Sequence, residues 1–507
     1  MTFNRTIILL LLCIISSYGQ HPYWVFFEDD PLLPNAELTA QAEERLFKRG
    51  ISQNQASRIV SQDYLDQLRS AGFKIRHSSR FLNAASVEIE TLNQIDDLLK
   101  LPFIKNIQAV AVRSKPHPLN ISDQEGLTRP TEFSYGQSYT QNQMFNIPGI
   151  HNKGYDGSGV IVAVFDTGFL TEHPAFDGMD ILAQYDFVDN EIDASGVGHG
   201  HGINVLSALG GYFPGELIGP AYAASYLLAR TEDYINESRA EEDNWVAALE
   251  WADSLGVDII SSSLNYKEFD DGSQNYPDSA IDGQTAIITI AANIAAERGI
   301  LVVNSAANEG PGSSSIWPPA DSPHVLAVGS INAYDRVSSF SSRGPTYDGR
   351  IKPDVVALGI SVHMASGVSG FAQGSGTSFA APLVSGLAAL LLQAHPELSP
   401  DSIISIFQTH SDRSDNPDND YGYGLPDLSG FFTTPPIVLT PEFQIYPNPC
   451  SISSINVSLP EPIANHIHTC RVYNIRGSQI AILNTEAVST SLIEILLPTG
   501  LNDQMLF

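Results

Sequence analysis

A serine, two histidines, an aspartate and an asparagine stand in local settings suited to nucleophilic catalysis. Ser378 lies in Gly376-Thr377-Ser378-Phe379-Ala380-Ala381-Pro382, which runs straight into the apolar stretch Leu383 to Leu392. A Gly-Thr turn of this kind delivers a small hydroxyl to the first turn of a helix that is apolar on every side and therefore buried. The start of a helix offers unpaired N–H groups and a partial positive charge, which suit an oxygen that becomes negative during reaction. An ordinary buried helix with Ser378 as its cap fits the same stretch, so partners elsewhere must decide.

Three stretches supply such partners. In Ile161-Val162-Ala163-Val164-Phe165-Asp166-Thr167-Gly168 an apolar strand ends on a carboxylate. An acid at the tip of a buried strand needs a partner such as an imidazole, although Asp166 as a turn residue is the plainer alternative. Gly198-His199-Gly200-His201-Gly202-Ile203-Asn204 places two histidines at the entry to a helix, and either can serve as a base. A His-x-His pair is also half of a metal site, but no companion Cys or His pair stands at suitable spacing. In Leu301-Val302-Val303-Asn304-Ser305-Ala306-Ala307-Asn308-Glu309-Gly310 a strand opens into small residues followed by Asn308, whose amide can donate to an oxyanion.

The elements that must position these groups alternate from about Tyr135 to Phe431. Strands are expected at Val160 to Phe165, Tyr226 to Ala229, Val257 to Ser262, Ile300 to Val303 and Val325 to Val328, with helices such as Asp243 to Leu255 and Ala286 to Arg298 between them. The pattern implies an α/β fold: a parallel sheet with helices on both faces, its chemistry gathered at the carboxyl ends of the strands. Ahead of it, Tyr23 to Val112 reads as strand, helix, strand, strand, helix, strand, a small α+β unit of the split βαβ type. Residues 113–134, rich in Ser, Thr, Gln, Pro and Gly, read as an exposed linker. After Thr433 the chain turns Pro-rich and then gives short alternating strands around Ile455 to Leu459, Arg471 to Ile475 and Ile480 to Leu483, which imply a small β-sandwich over 432–507.

Composition narrows the class. The chain has 507 residues, 43% of them hydrophobic, enough for a sizeable core and about two to four domains. Against 57 Asp+Glu there are only 26 Lys+Arg, a net charge of −31, which argues against nucleic acid or anionic membrane as partner. Residues 1–19, with Arg5, an apolar run from Ile7 to Ile15 and small residues near Gly19, read as a secretory signal peptide too short to span a bilayer. Cys13 follows the bulky Leu12 and is a poor lipidation site. Export leaves Cys450 and Cys470, which either pair, at a gain of about 3 kcal/mol, or remain free buried thiols. A small folded unit at 20–112, behind a signal and before a cleavable linker, suits a pro-segment; a plain accessory domain is the alternative.

Asp-Thr-Gly at 166–168, His-Gly-x-x-Val at 201–205, Ala-x-Asn-Glu-Gly at 306–310 and Gly-Thr-Ser-x-Ala-x-Pro at 376–382, in this order, resemble the subtilisin-like serine proteases, or subtilases. The resemblance covers residues 135–431, and the 20–112 unit is similar to the inhibitory pro-segments of that family. It implies Ser378 as nucleophile, His201 as general base, Asp166 as the group orienting the imidazole and Asn308 as an oxyanion donor. The motif selects His201 over His199, which is left without a role. Extended peptide substrates are expected to pair with Ser263, Leu264 and Asn265, with Ala306 and Ala307 lining the adjoining pocket.

The sequence departs from the family at several positions. Ile203 and Asn204 replace the usual Thr and His, with little expected effect on mechanism. Ala307 and Asn265 each stand where the family usually has Gly, and the Ala307 methyl is expected to narrow the pocket or shift Asn308. The acidic run Glu241-Glu242-Asp243 offers a preference for basic substrates, against the plainer reading of a solvated helix start. Calcium commonly stabilises relatives, but no loop has EF-hand spacing, so no ligand is assigned and no cofactor is required. Ile445-Tyr446-Pro447-Asn448-Pro449 with Val472 to Gly477 resembles a type IX secretion carboxyl-terminal sorting domain; its usual final aromatic strand and basic tail are missing after Leu501. The expectation is a secreted or cell-surface serine endopeptidase made as a zymogen. Its expected partners are protein or peptide substrates, its own pro-segment and the secretion machinery. The alternative is a catalytically silent relative that binds peptides in the same cleft.

Overall fold

The computed structural model describes residues 21–52, 57–89, 92–109, 122–124, 134–195, 200–233, 240–269 and 275–433, together with six strands between 444 and 496. The chain divides into two units, Met1–Thr433 and Thr434–Phe507. The proposed signal peptide, His199, Cys450 and most of the linker lie outside the described residues.

The amino-terminal part of the first unit comprises β1 (His21–Phe27), α1 (Ala40–Lys48), α2 (Gln62–Ser70), β2 (Lys74–Ser79), β3 (Ala84–Ile89), α3 (Leu92–Leu98) and β4 (Ile104–Ala109). Its sheet has the order β2-β3-β1-β4 with every neighbouring pair antiparallel. One element escaped the sequence reading: α1, whose short amphipathic face buries only Ala42, Arg45 and Leu46. Further along, β5 (Ser122–Gln124) pairs antiparallel with a strand described below.

The larger part continues through α4 (Tyr139–Gln143), α5 (Ile147–His151), β6 (Ile161–Asp166), β7 (Asp180–Asp186), α6 (His201–Gly210), β8 (Tyr212–Phe213), β9 (Leu217–Ile218), β10 (Ser225–Arg230), α7 (Ala240–Leu255), β11 (Ile259–Ser262), α8 (Ile287–Glu297), β12 (Leu301–Ser305), β13 (Val325–Ile331), β14 (Val355–Leu358), β15 (Val362–Ser366), β16 (Gly370–Gly374), α9 (Thr377–Ala394) and α10 (Pro400–Thr409). Seven strands form one parallel sheet in the order β14-β13-β12-β11-β6-β10-β7. The edge strands β7 and β14 were not anticipated. β7 is only partly covered, burying Asp186 alone and exposing Leu182, so it lacks the continuous apolar run of a central strand.

Alternate residues of β6 face opposite layers, as strand geometry requires. Val162 and Val164 pack with α6 and α9 on one face, while Ala163 and Phe165 pack with α7 and α8 on the other. Helix α9 is apolar and long enough to cross a membrane, but it is a core helix, buried along 83% of its length.

The amino-terminal sheet covers the α7–α8 side, where Trp24 and Phe81 join the cluster containing Trp245 and Ile287. Buried charge joins the same surfaces. Asp253 of α7 takes Arg45 and Arg80 from the amino-terminal part and Arg298 from the end of α8. The start of α7 is not solvated, contrary to the plainer sequence reading: Glu241, Glu242 and Asp243 are buried. Glu241 accepts from the Asp233 N–H at 2.9 Å, Glu242 from the Tyr276 hydroxyl at 3.1 Å, and Asp243 from the Ser86 hydroxyl of β3. These acids are held by protein groups and form no open acidic surface.

In the second unit, β17 (Gln444–Tyr446), β18 (Ser454–Ser458), β21 (Glu486–Ser489) and β22 (Leu492–Leu496) form an antiparallel sheet in the order β17-β18-β22-β21, and β19 (Thr469–Tyr473) pairs with β20 (Gln479–Asn484). Two antiparallel sheets agree with the all-β character expected from the alternating pattern.

Candidate active site

Strand order changes direction between β6 and β11. The chain lays β7 and β10 on one side of β6 and β11, β12, β13 and β14 on the other. Such switch points open a crevice at the carboxyl ends of the strands. Asp166 ends β6 there, Ser263 follows β11, and Asn308 follows β12 by a few residues.

Asp166 is fully buried, and Thr167 donates to its Oδ1 from its N–H at 2.8 Å and from its hydroxyl at 3.1 Å. His201, the first residue of α6, sets its Nδ1 2.8 Å from Asp166 Oδ1 and 2.9 Å from Oδ2. Gly202 makes this approach feasible, since a Cβ there would lie 2.2 Å from the Gly168 carbonyl oxygen. Burial disfavours the charged imidazole, but the Asp166 charge and hydrogen bond outweigh it, so the His201 pKa is raised. The carboxylate fixes Nδ1 as the protonated nitrogen and leaves Nε2 as the basic one.

Ser378 is the second residue of α9 and not its cap; Gly376 occupies that position. Its hydroxyl donates to the Ser263 carbonyl at 3.4 Å, and among the described residues it has no hydrogen bond to His201. The His201 ring lies 5.6 Å, centroid to centroid, from Phe379, the neighbour of Ser378. Thus the geometry joins Asp166 to His201 directly and brings the imidazole beside the serine turn. Asn308 is tied to that turn as well: its Oδ1 accepts from the N–H and the hydroxyl of Thr377, both at 2.9 Å. Acceptance from a backbone N–H settles which amide atom is oxygen, so Nδ2 is the atom left to donate.

Pro382 has a local role that the sequence reading overlooked. A helix pairs each N–H with the carbonyl four residues earlier, and proline has no N–H to give. The Ser378 carbonyl is thereby released, and the Ser263 hydroxyl donates to it at 2.7 Å. Ser263 therefore meets Ser378 through both its side chain and its carbonyl. Thr377 and Thr167, the residues beside Ser378 and Asp166, were likewise missed as anchors; hydroxyls next to candidate site residues were the available signal.

Ala306 and Ala307 are buried at the end of β12, and Ala307 has φ +85°, a left-handed backbone that favours glycine. Next to it, Asn308 is held by Thr377. Its amide oxygen takes both Thr377 donors, and the backbone strain of this segment sits at Ala307. The Leu264 carbonyl accepts from Asn304 Nδ2 at 2.9 Å, and Asn265 turns its amide onto Ser305. Among the described residues no cluster of His, Cys, Asp and Glu could hold a metal ion.

Residues 157–424 match the subtilase family, and residues 22–125 match a peptidase S8 propeptide domain of Bacteroidota. The chain belongs to the subtilase family. Over 252 residues it is 30% identical to subtilisin from Bacillus pumilus, an alignment spanning 49% of this chain and 82% of that one. Over 372 residues it is 28% identical to subtilisin amylosacchariticus of Bacillus subtilis subsp. amylosacchariticus, covering 71% and 85% of the two chains. The fold is similar to that of fervidolysin from Fervidobacterium pennivorans, described as a keratinolytic enzyme related to subtilisin, with a TM-score of 0.58, 19% identity, and 94% of this chain and 69% of that one covered. This subtilase is accordingly a subtilisin-like serine endopeptidase with a propeptide domain ahead of its catalytic domain.

Proposed function

We propose that the chain is a secreted serine endopeptidase that hydrolyses peptide bonds through Asp166, His201 and Ser378, with Asn308 in the oxyanion hole. The observation that carries this reading is the Asp166–His201 pair at 2.8 Å beside the serine turn. For attack, the Ser378 hydroxyl leaves the Ser263 carbonyl and gives its proton to His201 Nε2 as Oγ bonds to the scissile carbonyl carbon. Buried Asp166 stabilises the resulting imidazolium without taking its proton. Asn308 Nδ2 and the N–H groups at the start of α9 receive the negative oxygen. The imidazolium then protonates the leaving amine, and water repeats the sequence to release the acyl group.

Residues 20–112 act in this reading as an intramolecular inhibitor and folding aid, 113–134 as the segment cut on maturation, and 135–431 as the catalytic domain. The amino-terminal apolar run and the Tyr-Pro-Asn-Pro motif support export and a sorting role for 432–507. Labelling by a fluorophosphonate tests the reading. Purified, pro-segment-free protein takes the label at Ser378 and the Ser378→Ala variant takes none; a wild-type chain that takes no label is a peptide-binding relative and not an enzyme.

A further inference from the structure

The residue whose carbonyl is attacked must put its side chain somewhere close to Ser378. The β11–β12 ladder ends at the Ser262–Asn304 pair, and the two segments that follow flank the start of α9. Residues 263–265 do so through the Ser263–Ser378 contacts, and 306–308 through the Asn308–Thr377 contacts. In the reading above, a carbonyl held between Ser378 Oγ and Asn308 Nδ2 lies between these two segments, and its own side chain would enter the gap they leave.

That gap is bridged. Asn265 Nδ2 donates to the Ser305 carbonyl at 2.8 Å, and the Ser305 hydroxyl donates back to Asn265 Oδ1 at 2.9 Å. On the adjoining residues, Asn304 Nδ2 donates to the Leu264 carbonyl at 2.9 Å. Both amide atoms of Asn265 are thus spent across the opening, and Ser305 and Ala306 beneath it are fully buried. Ala306 belongs to a buried cluster with Ile316, Ala320 and Ala327. Ala307 keeps a methyl on the same wall despite a backbone suited to glycine.

We propose that the Asn265–Ser305 pair staples this gap shut, so that the enzyme cleaves after Gly, Ala or Ser and rejects Leu, Phe and Tyr at that position. This rests on the serine endopeptidase reading above and names its substrate class. Opening the gap to admit a large side chain would break two reciprocal hydrogen bonds between partly or fully buried groups, whereas a methyl or hydroxymethyl needs no opening.

The test uses the mature enzyme and quenched fluorescent peptides that differ only in the residue before the scissile bond: Gly, Ala, Ser, Leu or Phe. We expect kcat/KM for Ala to exceed that for Phe by at least about 100-fold, and Asn265→Gly to move the ratio toward Phe by at least about 10-fold. Cleavage after Phe or Leu as fast as after Ala in the wild type overturns the proposal, whether or not the variant folds. So does a correctly folded Asn265→Gly enzyme with an unchanged ratio. Fluorophosphonate titration counts active sites in every preparation. A wild-type chain that takes no label refutes the endopeptidase reading itself, while one that labels but ignores side-chain size refutes the staple alone.

Discussion

The Ser263 hydroxyl donates to the Ser378 carbonyl at 2.7 Å, in the place of the helix N–H that Pro382 lacks. A defect in one helix thus becomes a bond between the serine turn and the segment after β11. Replacing Ser263 by Ala leaves that partly buried carbonyl without its donor, at a cost of about 1 kcal/mol. A lower denaturation midpoint for Ser263→Ala in urea melts, on the inactive Ser378→Ala background, is the expected result. An unchanged midpoint would mean that the bond contributes nothing.

Removing members of the proposed triad has unequal consequences. Ser378→Ala or His201→Ala is expected to lower kcat by about 10⁶, while loss of the Asp166 charge costs about 10⁴. Asn308→Ala, which removes an oxyanion donor and also unties Thr377, is expected to cost about 10² to 10³. Steady-state kinetics of the mature variants read these values directly, and equal losses for Asn308→Ala and Ser378→Ala would contradict the role given to the amide.

The pH profile follows from the environment of His201. The base must be neutral, so activity falls as pH drops through its pKa, which is raised above the ordinary value of about 6.5. The acid limb of kcat/KM is therefore expected above pH 6.5. In Asp166→Asn the carboxylate charge that raises the pKa is gone while burial, which lowers it, remains; the acid limb of the residual activity should move to lower pH. A limb that stays in place would show that Asp166 does not set this titration.

Ala307 offers a stabilising change. A non-glycine residue at φ +85° costs of order 1–2 kcal/mol, and glycine returns part of that through the greater freedom of its unfolded chain. The net expectation for Ala307→Gly is a gain of about 0.5–1 kcal/mol in equilibrium unfolding, and a loss of stability would show that the methyl's packing outweighs the backbone strain.

The ionic junction between the propeptide and catalytic parts gives one more test. Asp253 faces Arg45, Arg80 and Arg298, and burial notwithstanding, these charges hold its carboxyl below the usual carboxylate range. Asp253→Asn leaves three buried guanidinium groups without their shared counter-charge, a loss of about 3–5 kcal/mol. Urea melts of the precursor carrying Ser378→Ala should show it. The mature enzyme, which retains only Arg298 of the three, should be affected less.

Much of this was legible in the chain. Strands β6, β10, β11, β12 and β13 were readable because both faces of a central strand are buried and the run is apolar, whereas edge strand β7 and the short helix α1 give no such signal; β14, Val355–Leu358, is also apolar and buried and was overlooked as a run of only four residues. Local motifs nominated Asp166, His201, Asn308 and Ser378, and in the folded chain His201 Nδ1 lies 2.8 Å from Asp166 Oδ1. The acidic start of α7 misled, because in sequence a buried acid with protein partners is indistinguishable from a solvated one.

By itself the sequence determined which side chains can do chemistry and which helix and strands carry them, since motif spacing and hydrophobic period are local properties. Only the tertiary structure decided how those side chains are held. The Ser263–Ser378 exchange, the anchoring of Asn308 on Thr377 and the Asn265–Ser305 bridge each join residues from different elements at the ends of a folded sheet. The physical reason is that a hydrogen bond depends on ångström-scale distances between atoms far apart along the chain, and those distances exist only once the sheet, its switch point and α9 have packed together.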